Sequence, residues 1–361
     1  MQKLTEEFPL LNQYLYANTA ASGLLYDGLL QWRQEHDLDF LIDGIPAKKV
    51  CVGLISETRT TVGTFFNCSR ESVALIPNFS LGLNMLLEGL DQDARVLLLE
   101  GDYPSVNWPF ENRDFIISYA TIDENLEENI LAKIEQDRIS VLALSLVQWV
   151  NGIQIDLKFL KRLKQNYPDL IILADGTQFC GTRDFDFEKS GLDVLLASGY
   201  KWLLAGHGNG FALFKEEIKD RFHLRTIGLN AANGDVSKNG KVRFAKRLEP
   251  GHLDTLSFGS LKFSLDYLTR LGMQTVARQN EQLSVKAKIA FAELGLLEEA
   301  VLKREGHSTI FNIKGNERIY GQLAQKDVIC SLRGMGIRFS FHFYNTENDI
   351  DRLVEILKTG K

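Results

Sequence analysis

Two stretches decide how this chain folds: Leu170-Ile-Ile-Leu-Ala-Asp175-Gly-Thr-Gln178 and Leu195-Leu-Ala-Ser198-Gly-Tyr-Lys201-Trp202. Each is a short run, apolar at every position, that stops abruptly at polar residues. A strand with apolar side chains on both sides must be covered on both faces, which is how parallel sheets between helices are built. The first run closes on an acid and an amide, the second on a hydroxyl and a lysine. In open α/β sheets the ligand crevice lies outside the carboxyl ends of the strands. Asp175 and Lys201 are therefore expected to share one pocket.

Working outward, residues 95–100, 140–145 and 210–214 read as further strands, and the two decisive runs as strands over 169–174 and 192–197. Helical spacing occupies 125–136 and 157–166, and 78–90 opens on a polar residue before running apolar. Buried strands alternating with helices predict an α/β domain with a mostly parallel sheet. After Ser260 the pattern changes. A long helical stretch over 261–294 leads to strands near 309–313 and 337–343 and a last helix over 347–358. The expectation is a large α/β domain spanning 20–260 and a small C-terminal α+β domain spanning 261–361, with residues 1–19 packing on the latter.

Composition excludes several classes. With 361 residues, 45% of them hydrophobic, the chain is long enough to hold its fold by burial alone, so no disulfide or metal is required. Forty-one Lys and Arg against 47 Asp and Glu give a net charge of −6, without the basic excess of a nucleic-acid binder. The N-terminus has no cationic start followed by an apolar run, so no signal peptide is expected. The apolar runs are too short to span a bilayer. Cys51, Cys68, Cys180 and Cys330 are scattered, with neither C-x-x-C nor zinc-ligand spacing, and read as reduced thiols of a cytoplasmic protein.

The easily read nucleotide and hydrolase motifs are missing. There is no P-loop and no G-x-S-x-G elbow. Gly206-His-Gly-Asn-Gly210 is glycine-rich, but it leads into a strand-like run where a dinucleotide fingerprint would open a helix. The six histidines form neither H-x-H nor H-x-x-x-H.

A lysine and a carboxylate converging at strand ends are what pyridoxal phosphate chemistry needs. The amine condenses with the aldehyde, and the acid keeps the pyridine nitrogen protonated so that the ring accepts electrons. Here the chain resembles the class V aminotransferase group of fold type I pyridoxal-phosphate enzymes, which includes cysteine desulfurases, selenocysteine lyases and kynureninase. The resemblance covers nearly the whole chain.

It implies pyridoxal 5'-phosphate as cofactor, a Schiff base on Lys201 (in Ser-Gly-Tyr-Lys, where the family commonly has Ser-x-His-Lys) and Asp175 on the pyridine N–H. Gln178 would lie near the phenolic oxygen, and Asn151 would contact that oxygen and the substrate. Tyr103 falls where the family stacks an aromatic or His on the ring. Phe79 and Ser80 match the phosphate-binding start of a helix, where free N–H groups favour an anion, and Ser198 and Tyr200 complete the phosphate cup. Arg338 would take the α-carboxylate through paired hydrogen bonds. Asn18 sits in a segment like the family's substrate-side N-terminal loop. His252, in Glu249-Pro-Gly-His252, would reach the phosphate of a neighbouring subunit, which implies a homodimer with shared sites. For Trp149, core or rim packing is as good an explanation as a role in the site, and Arg333 reads as a surface or entrance charge.

The stretch 328–338 is too short for the cysteine-bearing loop of a persulfide-forming desulfurase, and Cys330 lies in an apolar run that predicts a buried, inert thiol. The leading expectation is an enzyme acting on a small amino acid as a transaminase or as a desulfurase-like or selenocysteine-lyase-like β-lyase without a catalytic cysteine. The alternatives are an epimerase of the isopenicillin N epimerase type and a non-catalytic cofactor-binding protein. No nucleic-acid or membrane partner is expected.

Overall fold

The computed structural model describes residues 6–44, 47–238 and 241–359; residues 1–5 and the Cys51 side chain lie outside the described residues. Twelve strands are described, taken in chain order. They are β1 (Leu15–Tyr16), β2 (Val73–Ile76), β3 (Arg95–Leu99), β4 (Ile116–Ala120), β5 (Val141–Ser145), β6 (Ile171–Asp175), β7 (Val194–Ser198), β8 (Gly210–Phe214), β9 (Ile310–Lys314), β10 (Val328–Ile329), β11 (Ser331–Arg333) and β12 (Gly336–Ser340).

Seven of them form one sheet in the order β2-β8-β7-β6-β5-β3-β4. β8 alone runs against its two neighbours, and every other pairing is parallel. The apolar runs are explained by the two faces. In β3, Leu97 and Leu99 enter one core while Val96 and Leu98 enter the other; in β6, Ile172 and Ala174 divide from Ile171 and Leu173 in the same way. Because successive side chains on a strand point to opposite faces, a sheet with two buried faces has no polar position to alternate with.

Helices Leu126–Asp137, Leu157–Asn166 and Thr255–Leu271 contribute to the first core, and Phe79–Leu87 and Pro104–Glu111 to the second. β2 and β4 were absent from the sequence reading. β2 is only four residues long, and β4 is an edge strand whose side chains are mostly half-exposed, so neither makes a long apolar run.

The long helical stretch after 260 is two helices, Thr255–Leu271 and Met273–Glu293. Gly272 separates them at φ +87°, a left-handed conformation that glycine adopts without the clash a Cβ would bring. The small C-terminal domain is built on the antiparallel sheet β11-β12-β9. The N-terminal segment adds to it: β1 pairs with β10, and Asn18 bridges Ser340. Thr19 Oγ1 and Tyr344 OH share a 2.5 Å hydrogen bond. None of the described helices is long and apolar enough to cross a membrane.

Candidate active site

Because β5, β6 and β7 are parallel and in register, with Ser145 beside Asp175 and Asp175 beside Leu196, their carboxyl ends open on one edge of the sheet. A cavity of about 570 Å³ lies there, walled by Ser145, Asp175, Ser198 and Lys201 together with the start of the Phe79–Leu87 helix, Tyr103 and Trp149.

The Lys201 turn is held from both sides by glycines. A Cβ on Gly199 would stand 2.1 Å from Asn209 Oδ1, and one on Gly23 would stand 2.1 Å from the Lys201 carbonyl oxygen. At Gly23 the obstacle is backbone, so no L side chain fits; at Gly199 it is the tip of the buried Asn209 amide, which would have to move. The buried Leu204, three residues on, sits at φ +58°. Surrounding packing holds this strained conformation in place.

Lys201 is 6% exposed and Asp175 5%. Among the described residues no ion pair joins them, yet each feels the other's charge across the cavity. Burial pushes the Asp175 carboxyl up; the N–H and hydroxyl of Thr177 and the Lys201 charge pull it back, while the Asp102 charge adds to the rise. Burial pushes the Lys201 ammonium down, aided by Arg338 and Arg333 and opposed by Asp175. Lys201 Nζ also stands 5.6 Å from the Tyr103 ring and 5.5 Å from that of Tyr200.

In the same cavity wall, Asn78 caps the helix by accepting from the Leu81 N–H at 2.9 Å. The Phe79 N–H donates to Ser198 Oγ at 2.9 Å, and Ser80 and Tyr200 line the wall beside them. His207 stacks on Tyr200 with centroids 4.4 Å apart. A helix N-terminus, two serine hydroxyls, a phenol and an imidazole make a donor set suited to a phosphate.

Other expected residues are spent elsewhere. Asn151 does not line the cavity. It lies at the tip of a tight turn closed by the Val147–Gln154 bridge, where its Oδ1 accepts from the Ile153 N–H at 3.1 Å. Asn18 is likewise outside the lining, its Oδ1 accepting from Ser331 Oγ at 2.6 Å. Gln178 does line the cavity. However, its Oε1 accepts from Trp202 Nε1 and its Nε2 donates to the Ala20 carbonyl, which leaves one amide hydrogen uncommitted. His252 is exposed and lines a separate cavity with Arg59, Arg243 and Lys246. That loop is anchored by the buried Glu249, which accepts from both Arg59 nitrogens, from Lys246 and from the Leu75 N–H.

Arg338, on β12, is 2% exposed, and its Nη1 donates to the Trp149 carbonyl at 2.6 Å. It is not in the cavity wall, but its charge is felt at Lys201 and Tyr200.

Three residues escaped the sequence reading. Asp102, buried just beyond β3, accepts from the Tyr103 and Ser145 N–H groups at 2.6 and 2.8 Å and so holds two cavity residues in place. Its signal was an acid three residues past an apolar strand. Thr177 donates its N–H to Asp175 Oδ1 and accepts from the Ser198 N–H, bridging the two strand ends. His207 had no local signal, since only the stacking brings it to the cavity.

The model of one known family, described as aminotransferase class-V, matches residues 47–353. The chain belongs to the aminotransferase class-V family. This is a family of pyridoxal-phosphate enzymes, and the chain is one of them. It is 22% identical over 366 residues to the uncharacterized aminotransferase YcbU of Bacillus subtilis, with 98% of each chain covered. Among solved structures it is similar to the apo cysteine desulfurase of Thermococcus onnurineus NA1 (TM-score 0.86, 20% identity, covering 99% of this chain and 97% of that one). It is also similar to a C-DES mutant with glycine covalently linked to its PLP cofactor (TM-score 0.83, 18% identity, 98% of each chain). The fold is that of fold type I: a large domain with a mostly parallel sheet and a small C-terminal domain.

The residues present fit the family's cofactor. A buried amine with a weakened hold on its proton shares one cavity with a buried carboxylate that makes no ion pair among the described residues, and a helix N-terminus lines the same cavity.

Proposed function

We propose that the chain transforms a small α-amino acid at its Cα–H, as a transaminase or as a β-lyase that uses no cysteine nucleophile, with Lys201 anchoring the cofactor and acting as the base. The observation that carries this reading is the pairing of Lys201 and Asp175 across one cavity, both buried and neither in a direct ion pair. When bound, the cofactor supplies an electron-accepting ring that stabilises negative charge at Cα.

The chain's own residues do the rest. Asp175, made proton-avid by burial, would accept a hydrogen bond from the ring nitrogen and so favour its protonated form. The Phe79 and Ser80 end of the helix, with Ser198 and Tyr200, would hold the phosphate, and Tyr103 would pack on the ring. Gln178 has one amide hydrogen left for the phenolic oxygen. Arg338, kept dry on β12, takes the α-carboxylate, and its charge helps hold Lys201 in the neutral form. A neutral amine beside Cα then accepts the proton and returns it elsewhere. Asn151 and Asn18 have their Oδ1 atoms committed and lie outside the cavity lining, so this reading gives them no contact.

The absence of a thiol step is supported by the state of the cysteines. Cys330 is 5% exposed with its thiol pushed up to about 12 by burial, and Cys68, Cys180 and Cys330 all lie outside the cavity lining. A homodimer belongs to the same reading. The exposed Leu41, Ile42, Leu229 and Val236 are apolar surface of the segments that border the His252 cavity. Covered by a second copy, they would bring His252 toward the partner's phosphate end. A cytoplasmic setting is also part of it, since Cys68, Cys180 and Cys330 are all free.

The test is borohydride reduction of wild type and Lys201→Ala, followed by exposure of the wild type to a panel of amino acids. Lys201→Ala should carry no reduced cofactor; trapping that persists moves the anchor to another lysine. Conversion of the cofactor to its amine form, measured after release, identifies a transaminase. Retention of the aldehyde form with liberation of a keto acid and ammonia identifies a β-lyase.

A further inference from the structure

The glycine-rich run Gly206-His-Gly-Asn-Gly210 is no dinucleotide fingerprint, yet it has a defined shape. It leads from the Lys201 turn into β8. Gly206 and Gly208 both take left-handed backbone, at φ +71° and +90°, a region glycine enters without steric cost. Asn209, fully buried, closes the base of the loop by donating to the Ala205 and Gly206 carbonyls at 3.0 and 3.2 Å. The Gly199 N–H donates to the Asn209 carbonyl at 2.9 Å. His207 is thereby held at the tip of a pinned loop. Its ring lies on that of Tyr200, centroids 4.4 Å apart and planes 21° from parallel, and it lines the cavity. It is exposed, and among the described residues neither ring nitrogen has a hydrogen-bond or ion-pair partner.

The cavity is short of positive charge for the group it has to hold. A phosphate monoester carries about −1.5 to −2 at neutral pH. The described lining contains one carboxylate, Asp175, and two side chains able to carry positive charge, Lys201 and His207. With Lys201 engaged by the aldehyde, His207 remains. Arg33 stands against the loop, 2.8 Å from where a Cβ on Gly206 would lie, but like Arg338 it is outside the lining. The helix start, the serine hydroxyls and the Tyr200 phenol donate hydrogen bonds and bring at most the partial charge of a helix end. Burial pushes the phenol up to about 12, so it stays neutral, and a cationic ring can rest on its face.

We propose that His207 is a ligand of the cofactor phosphate, donating a ring N–H to a phosphate oxygen and supplying the counter-charge that the rest of the lining lacks. This rests on the reading of the cavity as a pyridoxal phosphate site and deepens it. The loop then joins the start of the Phe79–Leu87 helix and the Ser198–Tyr200 turn as a third phosphate-holding segment. Its glycines have a purpose on this account: they let the chain turn so that one imidazole comes back over Tyr200. The loop is also backed from behind, because a Cβ on Gly208 would lie 2.7 Å from Ser257 Oγ.

The test titrates cofactor-stripped enzyme with pyridoxal phosphate and with pyridoxal, which has the same ring and aldehyde but no phosphate. Binding is followed by absorbance in wild type and His207→Phe. Phenylalanine keeps a ring on Tyr200 and removes the N–H and the charge. Because His207 is exposed, its contact belongs at the weak end of charge-assisted hydrogen bonds, and His207→Phe should bind pyridoxal phosphate about 10-fold more weakly. Its affinity for pyridoxal should match that of wild type. Unchanged affinity for pyridoxal phosphate overturns the proposal. So does an equal loss for both ligands, which would make His207 a prop for Tyr200. If wild type itself binds the two ligands equally well, the phosphate-binding reading of the cavity fails and His207 falls with it. A wild-type preference for pyridoxal phosphate that survives intact in His207→Phe refutes the role of His207 alone.

Discussion

Lys201 should behave as a nucleophile far below the pH at which ordinary lysines do. The neutral amine is the reactive form, and burial disfavours the ammonium, so the sign is fixed: reactivity rises with pH, and a lowered pKa moves that rise to lower pH. Burial, with Arg338 and Arg333 behind it, brings Lys201 from 10.5 to about 8 against the pull of Asp175. At pH 8 an unperturbed lysine is about 0.3% neutral and one titrating near 8 is about half neutral, a gain of about 150-fold in reactive amine. The assay is reductive alkylation of cofactor-stripped protein with acetaldehyde and cyanoborohydride between pH 6 and 11, reading each lysine by peptide mass spectrometry.

Lys201 labelling should pass its midpoint near 8 while surface lysines are still climbing. Two variants test the causes separately. Asp175→Asn removes the anion that holds the proton on, so the midpoint moves down. Arg338→Ala removes a repelling cation, so it moves up. A Lys201 midpoint with the surface lysines, or a rise on Asp175→Asn, would refute the reasoning that burial and these two charges set the amine.

Other perturbations separate binding from chemistry. Arg338→Ala should raise KM for amino acids about 30-fold or more, the scale of losing a buried charge-assisted pair, while the cofactor stays bound. An unchanged KM in steady-state assays would take the carboxylate away from Arg338. Cys330→Ser should leave kcat and KM within about twofold, because a thiol pushed up to about 12 is no nucleophile at neutral pH. Loss of turnover in that variant would restore a persulfide step.

Membership of the aminotransferase class-V family and a cavity lined by none of the described cysteines are compatible because the fold and the thiol are separate features. The cavity needs a lysine, a carboxylate and an anion-binding helix start, all delivered by the sheet and its connections. A nucleophilic cysteine needs an additional mobile loop, and Cys330 lies between β10 and β11, buried where the small domain receives the N-terminal strand. Function on this scaffold is therefore read from the site.

What the amino-acid sequence determined by itself was much of what depends on one segment at a time, short and half-exposed strands excepted. Apolar runs with no polar alternation could only be strands covered on both faces, and five of the seven strands of the large sheet were legible for that reason. Asp175 and Lys201 stood at the ends of two such runs, so their meeting followed from parallel pairing. Asn78 before an apolar run marked the helix start that lines the same cavity. Other features depended on where distant segments meet, and only the tertiary structure decided them. Asn151 and Trp149 are two residues apart, yet the hairpin tip after β5 turns the first onto its own backbone and leaves the second in the cavity wall. Asn18 is claimed by Ser331, Gln178 is shared with Trp202 and Ala20, and His252 faces a different cavity because Glu249 is locked to Arg59 and Lys246. A strand's direction is a property of its own backbone. Whether a polar side chain is free to bind a ligand depends on which partners the rest of the chain brings to it.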